Sequence, residues 1–216
     1  MTKTSPTAFW VPLFPLGTIL FPGGLIALKI FEARYLDMMK RCLRESTPFG
    51  VVSILDNKAN DANATPTNHL SSIGTLATLE EFDAIQPALY MTKSYGTQRF
   101  KVLEIKQESD GLWMGQVELM DADPEIPLAK EHQKAAVMLD EIISIITSEG
   151  LLGNEAIKIP ENRDDCGWVS NRLAELMPIS LAQKNHLLAQ VNPRIRLDLI
   201  SEIIEEDDGL REIMVH

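Results

Sequence analysis

The sequence predicts an α+β protein: a mainly antiparallel, barrel-like β domain with one helix over residues 1–120, then a helical subdomain over 121–216. Three observations carry this. Short apolar runs rich in β-branched residues, punctuated by Gly, Pro, Asn and Asp, recur from Trp10 to Met120. From Leu128 onward the apolar residues recur instead at three- and four-residue spacing, the period of a helix face. Between the two regimes lies Asp121-Ala122-Asp123-Pro124-Glu125-Ile126-Pro127, whose acids and prolines interrupt regular structure.

The β domain hangs from Trp10 to Tyr35, WVPLFPLGTILFPGGLIALKIFEARY. Pro12, Pro15 and Pro22 each remove a backbone donor and fix φ, so the expectation is short extended pieces with no central strand running through them. Phe21-Pro22-Gly23-Gly24 is the sharpest turn, with Pro setting one corner and Gly free to take a positive φ at the next. Leu25 to Ile30 reads as a strand. Glu32 to Arg44 reads as a helix with Tyr35, Leu36, Met39, Cys42 and Leu43 on its apolar side, stopped before Pro48. Phe49 to Leu55 is a buried strand and Asp56 to Ser72 an exposed loop. Four further strands are expected: Ile73 to Leu79, Ala88 to Lys93, Thr97 to Ile105 and Leu112 to Met120. Gly96 and Asp110-Gly111 supply turns between them, and Gly115 marks a bulge or close approach. Six or seven strands joined by short turns imply antiparallel pairing, and closure into a barrel would remove exposed edges.

In the second part, Leu128 to Glu149 is a helix ending at Gly150. A second begins near Asp164 or Asp165 and closes at Pro178. Ser180-Leu181-Ala182-Gln183 matches a capping box and opens a third, to Val191. Asn192-Pro193 opens a fourth, with Leu199, Ile200, Ile203 and Ile204 as its buried stripe and an acidic end at Glu205 to Gly209. Short connections among the last three helices favour a compact four-helix bundle.

The chain has 216 residues, 45% apolar and 24% charged, ordinary values for a globular protein with a full core. Its start is polar, and no run approaches the ~18 apolar residues of a membrane span. A cytoplasmic location with no membrane contact is the expectation. The net charge of −11 is uneven: residues 1–120 hold 11 Lys+Arg against 12 Asp+Glu, and 121–216 hold 9 against 19. An acidic surface repels phosphate backbones, so nucleic acid is an unfavoured partner. Cys42 and Cys166 read as packed thiols.

No phosphate loop, Gly-x-Gly-x-x-Gly or Gly-x-Ser-x-Gly motif occurs, and His69, His132, His186 and His216 fall into no metal-ligand spacing. Neither a metal nor a cofactor is expected. Ser180 and Lys184 stand four apart like a Ser-Lys pair, but Ser180 is accounted for as a helix cap; Cys166 and His186 have nothing to bring them together. The expectation is a protein without catalytic residues. Met38, Met39, Tyr90, Met91, Tyr95 and Met114, with Phe31 and Tyr35, supply the adaptable apolar side chains that suit varied protein partners. Glu32 and Arg34 at the helix start are a candidate structural pair, Glu32 favourable at a helix N-terminus and Arg34 pairing with a carboxylate or backbone carbonyls.

Six motifs then carry a resemblance: Pro12-Leu13-Phe14-Pro15-Leu16, Leu20-Phe21-Pro22-Gly23, Ile30-Phe31-Glu32-x-Arg34-Tyr35, Phe49-Gly50-Val51-Val52, Ile73-Gly74-Thr75-Leu76-Ala77 and Gly96-x-x-Arg99-Phe100-x-Val102, with Leu28 between the second and third. Their order over about 95 residues resembles the N-terminal substrate-binding domain of the Lon protease family. The resemblance implies a PUA-like pseudo-barrel followed by a helical bundle, and a role in binding proteins or peptides for proteolysis or quality control. Unfolded or client polypeptides are the implied partners, with a Lon-type protease as a further one. Full Lon proteases also carry an ATPase module and a Ser-Lys peptidase domain, neither of which is legible in this sequence. The alternative is RNA binding through the sheet, using Lys93, Arg99, Lys101 and Lys106.

Overall fold

The computed structural model describes residues 8–55, 69–148 and 162–207. The chain divides into two compact units, Met1–Asp121 and Ala122–His216. Most of the expected loop at 56–72, the helix stop at Gly150 and the acidic end past Asp207 lie outside the described residues.

The first unit contains β1 (Phe9–Leu16), β2 (Leu25–Ile30), α1 (Ala33–Glu45), β3 (Phe49–Ile54), β4 (Leu70–Gln86), β5 (Leu89–Gln107) and β6 (Trp113–Leu119). The strands form one sheet in the order β2-β5-β4-β3-β1-β6, and β5 also pairs with β6. Five strands therefore close a ring, β5-β4-β3-β1-β6-β5, with β2 attached outside it. The sheet is mixed: β1 runs parallel to β3 and the other pairs are antiparallel.

Two expectations are corrected here. β1 passes through Pro12 and Pro15 and stands inside the ring. Its pairing is staggered: Phe9 to Leu13 pair with β6, and Leu13 to Leu16 pair with β3. Each proline thus sits where only one side of the strand is paired. Because they are three residues apart, their missing N–H groups lie on opposite sides, each toward the vacant one. Gly96, expected as a turn, lies within the unbroken β5. It donates its N–H to Gly24 O and accepts from Gly23 N–H, both at 2.8 Å. A Cβ there would lie 2.3 Å from the Phe21 carbonyl oxygen. Glycine serves close approach at this position, letting the Phe21-Gly24 turn dock on β5.

The remaining turns follow their chemistry. Pro87-Ala88 joins β4 to β5 with Ala88 at φ 62°, the positive value a type II turn requires at its third residue. Gly111 at φ 85° turns β5 into β6, with Asp110 Oδ1 accepting from Leu112 N–H. Gly115 is a close approach, since a Cβ there would lie 2.9 Å from Leu13. Val11, Leu13, Val52, Leu76, Phe100 and Val117, drawn from all five ring strands, fill the ring. A second cluster lies under α1, around Tyr35, Leu36, Met38, Met39, Cys42, Phe14, Ile30 and Phe49.

The second unit contains a 3₁₀ turn at Lys130–His132 and the helices α2 (Gln133–Ser148), α3 (Cys166–Leu176), α4 (Leu181–Ala189) and α5 (Pro193–Glu206). The caps are side-chain oxygens: Asp165 accepts from Trp168 N–H, Ser180 and Gln183 form a reciprocal capping box, and Asn192 accepts from Arg194 N–H ahead of Pro193. α2, α4 and α5 each touch α3. Arg196, with no exposed surface, binds this unit together. Its guanidinium donates to both carboxylate oxygens of Asp123 (2.8 and 3.0 Å), to Ser170, to Asn171 and to the carbonyls of Leu187 and Gln190.

Candidate functional site

Beyond the ring, the first half of β5 carries β2 on one side and the far half of β4 on the other. The register sets three cross-strand rows: Leu25–Tyr95–Thr78, Ala27–Lys93–Glu81 and Lys29–Met91–Asp83. Residues in one row share a face. The intervening residues Ile26, Leu28, Phe82 and Tyr90 share the other face and pack against the α1 cluster. There the rings of Phe82 and Tyr90 stack at 4.5 Å, with Lys40 Nζ 5.7 Å from the Tyr90 centroid. The first face therefore lies opposite α1. It presents the half-buried Leu25, Met91 and Tyr95 with the exposed Ala27 and Lys29, and Lys93 Nζ pairs there with Glu81 at 3.0 Å.

The eight apolar residues singled out from the sequence do not come together. Tyr35, Met38 and Met39 are core, 7%, 1% and 0% exposed, and Tyr90 and Met114 pack half-buried against the same cluster. As the fold stands Tyr35, Met38 and Met39 are closed off, the unbranched Met side chains filling the space between α1 and the sheet, while Tyr90 and Met114 keep part of their surface exposed. Met91 and Tyr95 lie on the opposite face, and Phe31, just after β2, is 69% exposed. Parity would have separated Tyr90 from Met91 and Tyr95 had β5 been read as one strand. Leu25, Ala27 and Lys29 were missed because their stretch read only as a strand.

Arg34 fastens the start of α1 to the β5–β6 turn. It donates to Glu32 Oε2 at 2.9 and 2.6 Å and to the Gly111 carbonyl at 2.9 Å, and its guanidinium lies 4.7 Å over the Tyr35 ring. Burial pushes the Tyr35 phenol above its ordinary pKa, against the opposing pull of Arg34. Of the four cations proposed for RNA, Arg99 is 2% exposed and Lys93 is paired with Glu81, while Lys101 and Lys106 are exposed, with Lys106 Nζ 4.2 Å over the Trp10 ring.

In the second unit Ser180 Oγ donates to Gln183 Oε1 at 2.7 Å, and Lys184 Nζ donates to the Glu175 carbonyl at 2.7 Å. Each is engaged elsewhere. Burial pushes the Lys184 ammonium below its ordinary pKa and the Glu175 carboxyl above its own. The Cys166 thiol is buried and donates to Pro127 O at 3.5 Å. A shallow cavity of about 310 Å³ between α4 and α5 is lined by Ala182, His186, Leu199 and Ile203 with Glu202 and Glu206. Among the described residues no three His, Cys, Asp or Glu side chains converge as a metal site would need, and no helix is long and apolar enough to cross a membrane.

A sequence profile of the ATP-dependent protease La (LON) substrate-binding domain matches residues 10–206. The chain belongs to this family. A crystal structure of a Lon N-terminal domain protein from Xanthomonas campestris superposes with a TM-score of 0.72 at 31% identity, covering 90% of this chain and 98% of that one. The N-terminal domain of a Mycobacterium avium complex Lon protease shares the fold at 17% identity, with a TM-score of 0.59 over 89% of this chain and 97% of that one. The Lon protease of Anaeromyxobacter dehalogenans is 25% identical over 206 residues, 94% of this chain and 24% of the relative. The chain thus spans about a quarter of the length of the Lon proteases it matches, and the matched quarter is the Lon substrate-binding region, not the catalytic one.

Proposed function

We propose that this member of the Lon substrate-binding family is a cytoplasmic, non-enzymatic module that holds apolar segments of other polypeptides in proteolysis or protein quality control. Residues 1–120 act as a PUA-like pseudo-barrel and 121–216 as a four-helix bundle. The observation that carries the reading is the face opposite α1. A protein with a complete core leaves Leu25, Met91 and Tyr95 half-buried there, beside the exposed Phe31. Met and aromatic side chains fit varied apolar partners with little loss from imperfect complementarity. Unfolded or client segments are the occupants, and a Lon-type protease is the downstream partner.

The test is equilibrium binding of a reduced, alkylated, permanently unfolded polypeptide to the full chain, repeated with Met91→Ser and Tyr95→Ser. Micromolar binding that both substitutions weaken, without loss of thermal stability, is the expected result. No binding at tens of micromolar refutes the reading. Binding that appears only with RNA, and falls steeply with salt, transfers the assignment to nucleic acid.

A further inference from the structure

β2 is the strand at which the sheet stops: it pairs with β5 on one side and ends the strand order. Its backbone polar groups divide into two sets. Gly96 N–H donates to Gly24 O at 2.8 Å, and the Leu28 carbonyl lies 3.5 Å from Thr92 Oγ1, so the even-numbered residues face β5. In an antiparallel pair bonded and non-bonded rungs alternate. Leu25, Ala27 and Lys29 therefore turn their N–H and C=O groups outward, where no hydrogen bond among the described residues takes them up.

Bare edges invite pairing, and proteins commonly blunt them with charge. The far half of β4, which among the described residues has no strand on its β3 side past Ala77, carries Glu80, Glu81 and Asp83. β2 carries one charge, Lys29, exposed and without an ion pair among the described residues. One edge of the extension is thus defended and the other left open, on the side that continues the Met91–Tyr95 face.

We propose that the β2 edge receives an extended segment of a client polypeptide as an added strand, apolar beside Leu25 and Ala27 and acidic beside Lys29. This rests on the polypeptide-binding reading and gives it a geometry. Main-chain bonds to Ala27 and Lys29 supply affinity that tolerates many sequences, and the incoming carboxylate answers the unpaired ammonium. A second copy of the chain is the poorer occupant, because each copy brings a net charge of −11.

The experiment uses the full chain, the reduced and alkylated unfolded polypeptide, and a short peptide alternating Val and Thr around one Asp. Hydrogen exchange at the Ala27 and Lys29 amides is followed by NMR. Both amides should exchange freely alone and slow at least about tenfold on saturation, as newly bonded strand amides do. Ala27→Pro deletes one outward N–H but spares the rungs to β5, and should weaken binding about tenfold, the equivalent of one to two ladder bonds. Lys29→Glu should weaken the Asp peptide and restore binding when that Asp becomes Lys. If Ala27→Pro does not fold, Lys29→Glu and amide protection decide. Undiminished binding to both variants, with both amides unprotected, overturns the edge proposal and leaves polypeptide binding standing. A wild-type chain that binds neither probe overturns both. A dimer in sedimentation that Ala27→Pro dissociates assigns the edge to a second copy and overturns the client assignment.

Discussion

Arg196 offers the sharpest test of how the second unit is held. Its five N–H groups meet six acceptors from the segment before α2, from α3, and from the end of α4. Arg196→Lys keeps the charge but has three donors, so at least two of the five donor positions are lost. At about 1–1.5 kcal/mol for each bond lost, the expected destabilisation is about 3 kcal/mol. In a domain of about 60–100 residues, 1 kcal/mol is worth about 4–8 °C, so the unit should melt about 15 °C lower. Arg196→Met goes further, taking the guanidinium away from the Asp123 carboxylate, 14% exposed, and breaking a buried ion pair from one side typically costs about 3–5 kcal/mol. Adding Asp123→Asn to Arg196→Met should return part of that, with a coupling energy of about 2 kcal/mol or more. Hydrogen exchange read at α3 and α5 separates this unit from the strands. An Arg196→Lys protein within about 1 kcal/mol of wild type, or a coupling under about 0.5 kcal/mol, would refute the claim that the fork joins these segments.

Three further expectations follow from packing. Gly96→Ala forces a Cβ toward the Phe21 carbonyl oxygen 2.3 Å away; it should cost about 2–3 kcal/mol and open β2 before the ring, as resolved by hydrogen exchange. Met38→Ala, 1% exposed, should cost about 2–4 kcal/mol, while Phe31→Ala, 69% exposed, should leave stability within about 0.5 kcal/mol and weaken capture of unfolded polypeptide. Burial pushes the Cys42 thiol up, ahead of the opposing effects of Thr47 and Arg41. Its folded pKa exceeds its unfolded one, so its contribution is intact below about pH 8.5 and is lost as pH rises through the raised value. Denaturant melts above pH 9 should therefore decline in wild type more than in Cys42→Ala, and native Cys42 should resist thiol reagents at pH 8.

Local chemistry was legible in the sequence. Ser180 and Asn192 cap their helices as read, and Asp165, one of two residues near which α3 was expected to begin, caps it, because a cap needs only a side-chain oxygen within three residues of the donor it satisfies. β2 was read to its last residue. The failures share one cause, a residue whose role is set far along the chain. Gly96 reads locally as a turn, and only the Phe21 carbonyl, brought up by the fold, makes it a docking point. Pro12 and Pro15 read as strand breakers, and only the stagger of β3 against β6 makes room for them. Arg196 was not singled out: it stands four and eight residues before Ile200 and Ile204, on the buried face of α5, and only Asp123, 73 positions earlier, supplies the partner that lets a charge sit there. The candidate surface suffered likewise: composition gathered Met and aromatic residues, but strand parity and helix phase send most of them into the core.

The bare edge follows from how the ring closes. β4 has 17 residues and β5 has 19, while β1, β3 and β6 have 8, 6 and 7. The short strands set the height of the ring, so the long pair must overshoot it. β5 meets β6 only from Phe100 to Gln107, and β4 meets β3 only up to Ala77, which strips both of a second neighbour beyond that level. β2 covers the overshooting side of β5, held by the Gly96 contact, and hands the unpaired edge one strand outward. An uncovered edge is therefore a consequence of unequal strand lengths. What is left to side-chain chemistry is whether it repels, as the acids of β4 do, or accepts, as Leu25, Ala27 and Lys29 do.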